Sequence, residues 1–343
     1  MTSVSIRSGL CGLLLLLLVG LCASAAGAAE PIRLRFANFP AAATFPCVSM
    51  ERWAKEVETR TNGAVKVETF PGGTLLDARN MMRGVMRGQA DIGCTSLAYH
   101  PGVFPMLSVF ELPLGFAKAE HASAVLYDFQ ARHRPEELAR FKVLAVFTSA
   151  PSQIMSTKPV PDRQSLKGLR LRAAGMTAEA VRAVGASAVS MPQSETPEAL
   201  QKGVVDGVFS SLDVMQDYNF AEYCRHVLIA DMPFYPFIIY MNLDAWNKLP
   251  PEVQKAMDDL GREHSIWTGR YVDEHAAEAL VWSVKTHGVT VTELSPEEKA
   301  GVLRDMAPVI ALWKEKAKDK GLDADAVLAE VLKDKQAVEG ETR

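Results

Sequence analysis

"AVKVETFPGGTLLDARNMMRGVMRGQADIGCTS" (residues 64–96) decides the fold class of this chain. Residues 64–70 alternate apolar and polar, the period of a half-buried strand. Pro71-Gly72-Gly73 makes a turn, and the chain reads on as a helix to Gln89. "ADIGCTS" then returns as a short apolar strand. Upstream, "IRLRFANF" (32–39) is a further strand. "TFPCVSMERWAKEVETRTNG" (44–63) is a helix with Val48, Trp53 and Val57 on one face and Gly63 as its stop. The order β-α-β-α-β predicts a parallel sheet with right-handed crossovers.

Beyond Ser96 the pattern breaks. Residues 99–116, "YHPGVFPMLSVFELPLGF", hold Pro, Gly and many rings but little charge. They read as an irregular segment crossing near a cleft. A helix over 119–139 and a strand at "FKVLAVFTS" follow. The second half repeats the theme from "GLRLRAAG" (168–175) onward, with two further strands at "HVLIAD" and "FYPFIIYMN". Residues 249–288 form one long helical stretch between Pro250-Pro251 and Gly288, long enough to span two lobes. A short strand, "VTVTEL", and two helices complete the chain.

The chain has 343 residues, 48% hydrophobic and 23% charged, which suits two globular domains. Its formal charge of −4 argues against a nucleic-acid surface. Arg7 is the only charge in residues 1–29, where an apolar run precedes "ASAAGAA". This is the layout of a secretory signal, cut near Ala28 or Ala29. The run is short for a membrane anchor. Leu21 before Cys22 stands where a lipoprotein signal wants a small residue. No later segment is long and apolar enough to cross a bilayer. The mature chain is therefore expected in the periplasm.

No phosphate-binding glycine loop, nucleophile elbow or metal-spaced histidine pair is present. The expectation is a binding protein with no catalytic residue, metal or cofactor. "SLKGLRLRAAG" (165–175) carries the chemistry. On a strand, Arg170 and Arg172 share one face and Leu169 and Leu171 the other. A guanidinium close to a core needs an anionic partner.

Residues 30 to about 285 resemble the solute-binding proteins of TRAP transporters, the DctP family. "LKGLRLRAAG" is similar to that family's "LKGLKIRVPG" strand, "MPQSETPEALQKGVVDGVFSS" to its "MPxxEVYxALQxGxVDGxEN" element, and "MNLDAWNKLPPEVQKAM" to its "NKxxWxxLPxxxQ" passage. The resemblance implies a two-lobe α/β periplasmic binding protein with a ligand cleft between the lobes. Lobe one would be 30–152 plus about 242–300, and lobe two 153–241. Hinge strands would cross near 150–158 and 235–242, and the C-terminal helices of 301–343 would pack on the lobes. It implies that Arg172, at the family arginine, grips a ligand carboxylate through two parallel bonds. Arg170 falls on the preceding lysine and would be solvated or paired at the surface.

The departures from the pattern narrow the ligand. Ser152 stands where many relatives carry a second arginine, and Ser210, followed by Ser211 and Asp213, falls on the family asparagine. Phe39 and Ser96 replace polar or acidic positions. With Phe45, Tyr99, Phe234, Tyr235 and Phe237 they suggest a ring-lined site for an apolar or aromatic monocarboxylate. The ligand would then be delivered to a TRAP permease. Two rival readings are a sensor that presents its ligand to a membrane receptor and an exported enzyme. Without Cys11 and Cys22 the mature chain keeps Cys47, Cys94 and Cys224, so a Cys47–Cys94 disulfide or three free thiols both fit.

Overall fold

Two sheets, each on its own layer of helices, organise the computed structural model, which describes residues 30–340. The signal-like segment and its cut at Ala28 or Ala29 lie outside the described residues.

The first sheet starts as the sequence predicts. Strand β1 (Ile32–Asn38), helix α1 (Phe45–Arg60), β2 (Val65–Phe70), α2 (Met81–Met86) and β3 (Ile92–Ser96) follow in order. β1 lies between β2 and β3, parallel to both. Trp53 on α1 meets Phe36 on β1 edge to face at 5.7 Å. The buried stripe of α1 runs through Met50, Trp53 and Val57, while Val48 is only half buried. α2 is shorter than its sequence suggests. The Asp77 carboxylate accepts the Arg79 and Asn80 backbone N–H groups, holding a turn where the helix was expected to run.

After the irregular segment come α3 (Ala119–His133) and β4 (Phe141–Thr148). The chain then crosses. β5 (Ser152–Ser156), β6 (Arg170–Ala173), α4 (Met176–Ala183), β7 (Ser187–Ser190), α5 (Thr196–Gln201), β8 (Gly207–Ser210), α6 (Val214–Asp217) and β9 (His226–Met232) build the second lobe. β10 (Pro236–Asn242) returns to the first sheet, antiparallel between β3 and β4. After α7 (Leu243–Asn247), helix α8 (Pro251–His287) leads to β11 (Thr290–Glu293), which pairs with β9. The sheet orders are β2-β1-β3-β10-β4 and β11-β9-β5-β8-β6-β7.

This topology moves the expected lobe limits. Ser152 belongs to the second sheet, whereas 236–242 belong to the first and 290–293 to the second. The crossings are therefore the three-residue connectors 149–151 and 233–235 rather than whole strands. They are bonded to each other. Ser149 N–H donates to Tyr235 O at 2.9 Å, and Tyr235 N–H donates to Ser149 Oγ at 3.0 Å.

At 1.5 Å per residue the 37 residues of α8 extend about 55 Å. The helix packs on α1, α3 and β4 in lobe one and on α6 in lobe two. His275 on α8 bonds Asp217 on α6 at 2.7 Å. The last helices are α9 (Pro296–Asp305), α10 (Ala307–Lys318) and α11 (Ala324–Gly340). Pro308 in the first turn of α10 divides what reads as one helix, because proline cannot donate to the preceding turn. α10 packs on α4 of lobe two and α11 on α3 of lobe one. No helix among the described residues is long and apolar enough to cross a membrane.

Candidate functional site

β6 separates its two arginines by environment. Arg170, with its side chain 47% exposed, donates from Nε and Nη2 to the two oxygens of Asp206 at 3.0 and 2.9 Å. Lys158 adds a contact to the same carboxylate at 2.8 Å. Hydrogen bonds from Arg170 hold the Asp206 carboxyl well below the usual carboxylate range. Arg172 is 2% exposed. Its Nε and Nη2 donate to Met191 O at 2.9 and 2.8 Å, and Nη2 also donates to Tyr99 Oη at 3.3 Å. The guanidinium lies 5.5 Å from the Tyr235 ring centre and 5.9 Å from that of Tyr99. Among the described residues no carboxylate reaches it within ion-pair distance.

A small cavity of about 40 Å³ opens at this arginine. Lobe one contributes Phe39, Thr44, Phe45, Ser96, Tyr99 and Phe237. Lobe two contributes Arg172, Gln193, Ser210, Ser211, Asp213 and Tyr218, and the crossings add Ser149 and Tyr235. The ring wall is braced edge to face: Phe39 on Tyr99 at 5.2 Å and Phe45 on Phe237 at 5.4 Å. Tyr235 is fixed by its hydroxyl, which donates to Phe209 O at 3.1 Å.

Ten of the residues expected from sequence thus meet here: Phe39, Phe45, Ser96, Tyr99, Arg172, Ser210, Ser211, Asp213, Tyr235 and Phe237. Two do not. Ser152 is inside the second sheet, paired with Met232, and Ser149 takes its place because β4 ends one residue earlier, at Thr148. Phe234 turns away to pack on Phe116 at 6.2 Å. Thr44, Ser149, Gln193 and Tyr218 were not legible in the sequence. Gln193 carried one signal, a polar side chain directly after Met191-Pro192 at the end of a strand.

The Cys47–Cys94 bridge is not formed. Both are buried free thiols, as is Cys224. Cys47 Sγ contacts Pro40 O at 3.2 Å instead, and burial pushes its thiol up to about 12.

Burial and the neighbouring Asp217 raise the Asp213 carboxyl above the usual carboxylate range. The Ser211 hydroxyl donates to it. Hydrogen bonding to Asp217 raises His275. No group of three or more metal-ligating side chains occurs among the described residues.

Tyr99 also walls a second, larger cavity of about 520 Å³, bounded by segment 97–111, the start of α4 and the end of α10. There Glu111 of lobe one accepts the Met176 backbone N–H of lobe two at 2.6 Å. Burial pushes its carboxyl up to about 7, against the opposing pull of that hydrogen bond and of Lys316. Arg79 of lobe one and Glu195 of lobe two form an exposed ion pair nearby.

Comparison with known proteins agrees with this architecture. The family model of the bacterial extracellular solute-binding proteins, family 7 (DctP), matches residues 36–317. A solute-binding protein of Verminephrobacter eiseniae is 29% identical over 275 residues, covering 78% of this chain and 80% of that protein. The open structure of a TRAP periplasmic solute-binding protein from Desulfovibrio salexigens is 51% identical, with a TM-score of 0.82, and the match covers 92% of this chain and 98% of that one. A marine metagenome TRAP solute-binding protein specific for aromatic acid ligands, solved with 3-hydroxybenzoate, is 26% identical with a TM-score of 0.85, covering 90% and 99%. The chain belongs to the DctP family, the extracytoplasmic solute-binding proteins of TRAP transporters.

Proposed function

We propose that this protein captures a compact monocarboxylate with an aromatic or apolar ring, closes its lobes over it, and delivers it in the periplasm to a TRAP permease. One observation carries the reading. Arg172 is a buried guanidinium with no carboxylate within ion-pair distance among the described residues, and it lines a cavity walled by rings from both lobes. A buried charge is unfavourable until paired, so the site is complementary to an anion. The Nε–Nη2 edge is held by Met191 O, so the two parallel bonds expected from sequence cannot form on that edge. The carboxylate would meet Nη1, with Nη2 shared between it and Tyr99. Water exclusion by the rings strengthens the contact.

Asp213 lines the same cavity and argues for a single carboxylate on the ligand. A second one would bring like charges together out of water. The likeness to the marine protein specific for aromatic acids supports the ring.

The test is mass spectrometry of ligand released from the purified protein, with calorimetry on benzoate, 3-hydroxybenzoate and succinate. Ring monocarboxylates should bind and succinate should not. Binding of a small dicarboxylate or a sugar acid, with no response to ring acids, would overturn the proposal.

A further inference from the structure

Gln193 and Gln153 are buried alike, 6% and 5% exposed, but differ in what their side chains meet. The Gln153 amide is saturated. Its Nε2 donates to Asp231 at 3.0 Å, and its Oε1 accepts from Ala230 N–H at 2.7 Å and Asp231 N–H at 3.0 Å. Gln193 has no partner for either Nε2 or Oε1 among the described residues. It is also a wall of the Arg172 cavity. Native chains rarely leave a buried polar side chain wholly unpaired, because desolvation is then uncompensated. A group of this kind on a residue that lines a binding cavity points to a ligand that completes it.

We infer that Gln193 is a ligand-binding residue, and that the ligand ring carries a lactam edge, an adjacent N–H and C=O, which pairs with its amide. This rests on the proposed capture of a ring monocarboxylate. The chemistry follows from the two open atoms. Nε2 needs an acceptor and Oε1 a donor, side by side in one plane. A hydroxyl presents one oxygen and cannot align with both. A carboxylate only accepts and would leave Oε1 unpaired. A lactam meets both at once. The ligand carboxylate is thereby directed to Arg172.

The spacing between the two anchors is fixed by the chain. Arg172 is bonded to Met191 O, two residues before Gln193. The Gln193 backbone N–H donates to Tyr99 Oη at 3.0 Å, the oxygen that also accepts from Arg172. The short helical turn of Gln193–Glu195 follows at once and fixes the backbone from the other side. The carboxylate grip on β6 is therefore tied through Met191 O and Tyr99 Oη to the loop that carries the amide, and the site discriminates acids by the distance from carboxylate to polar edge.

Calorimetry on the signal-free chain would compare benzoate, 3-hydroxybenzoate and 6-oxo-1,6-dihydropyridine-3-carboxylate, for the wild type and Gln193→Met. The lactam acid should bind the wild type roughly 10- to 30-fold more tightly than benzoate, the effect of two further hydrogen bonds. In Gln193→Met that preference should shrink to within about 3-fold, with benzoate bound at least as well as before. The unliganded variant should melt at the same temperature as the wild type or higher, since an unpaired polar group has been removed. An unchanged preference in the variant would overturn the inference. So would a wild type that favours benzoate, or one that favours only 3-hydroxybenzoate. Tight binding of benzoate with no effect of Gln193 would sink this inference and leave the ring-acid reading standing. No response to any ring acid would end both.

Discussion

The hydroxyl of Tyr99 in lobe one accepts a hydrogen bond from Arg172 Nη2 in lobe two at 3.3 Å, and another from the Gln193 backbone N–H at 3.0 Å. One side chain thus ties the lobes together at the mouth of the cavity. Tyr99→Phe keeps the ring and its contact with Phe39 but removes both accepted bonds. It should fold normally and lose about 10-fold in affinity, the effect of one to two net hydrogen bonds. Calorimetry and small-angle scattering should show weaker binding and a larger open population. Unaltered affinity would mean that the lobes do not depend on this bond.

Arg172→Ala should preserve the circular dichroism spectrum and weaken binding by about 2–5 kcal/mol, the usual effect of truncating one partner of a buried charge pair. Arg170→Ala should leave the affinity unchanged, because its guanidinium is already paired with Asp206. Its effect should appear in stability instead. The Asp206 carboxyl is held down in the folded state, so its stabilisation is present above the ordinary carboxylate pKa and lost in acid. The thermal gap between wild type and Arg170→Ala should therefore narrow from pH 6 to pH 3. Equal binding losses in the two variants would refute the division of labour on β6.

Glu111 works in the opposite sense. Its carboxyl is raised from 4.5 to about 7 by burial. Between these values the folded protein keeps a proton that the unfolded chain releases, so the contribution of Glu111 to stability declines as pH rises and levels off above about 7. Glu111→Gln still offers an oxygen to Met176 N–H but does not ionise. Its melting temperature relative to the wild type should rise between pH 5 and pH 8. A constant difference across that range would refute the assignment.

Gly175 is held at φ +59° between the lobes. A Cβ there would stand 2.3 Å from Glu111 Oε2 and 2.8 Å from Ala98 Cα, both in lobe one. Gly175→Ala should act as a wedge. Backbone strain and contact together should weaken binding about 10-fold or more, while each lobe keeps its secondary structure. Scattering of the liganded variant should resemble the open form, and wild-type compaction on ligand addition would count against this.

Much of the architecture was legible because it is local. The alternation of 64–70 and the turn at Gly72-Gly73 are written in residues that touch along the chain. The family resemblance singled out Arg172, and the ring side chains named with it line the same cavity except for Phe234. Placement failed where it hinged on the exact crossing. Moving the crossing to 149–151 put Ser149 at the cavity and drew Ser152 into the second sheet.

By itself the sequence determined the two α/β units and the long helix that joins them. Short-range periodicity and chain order contain that information. Only the tertiary structure decided that Arg170 is paired while Arg172 is not, that Cys47 and Cys94 stay apart, and that Gln193 is left open beside Tyr99. Those outcomes depend on which groups from separate lobes come within about 3 Å, the range of a hydrogen bond, and no period along one chain segment encodes a contact made by another.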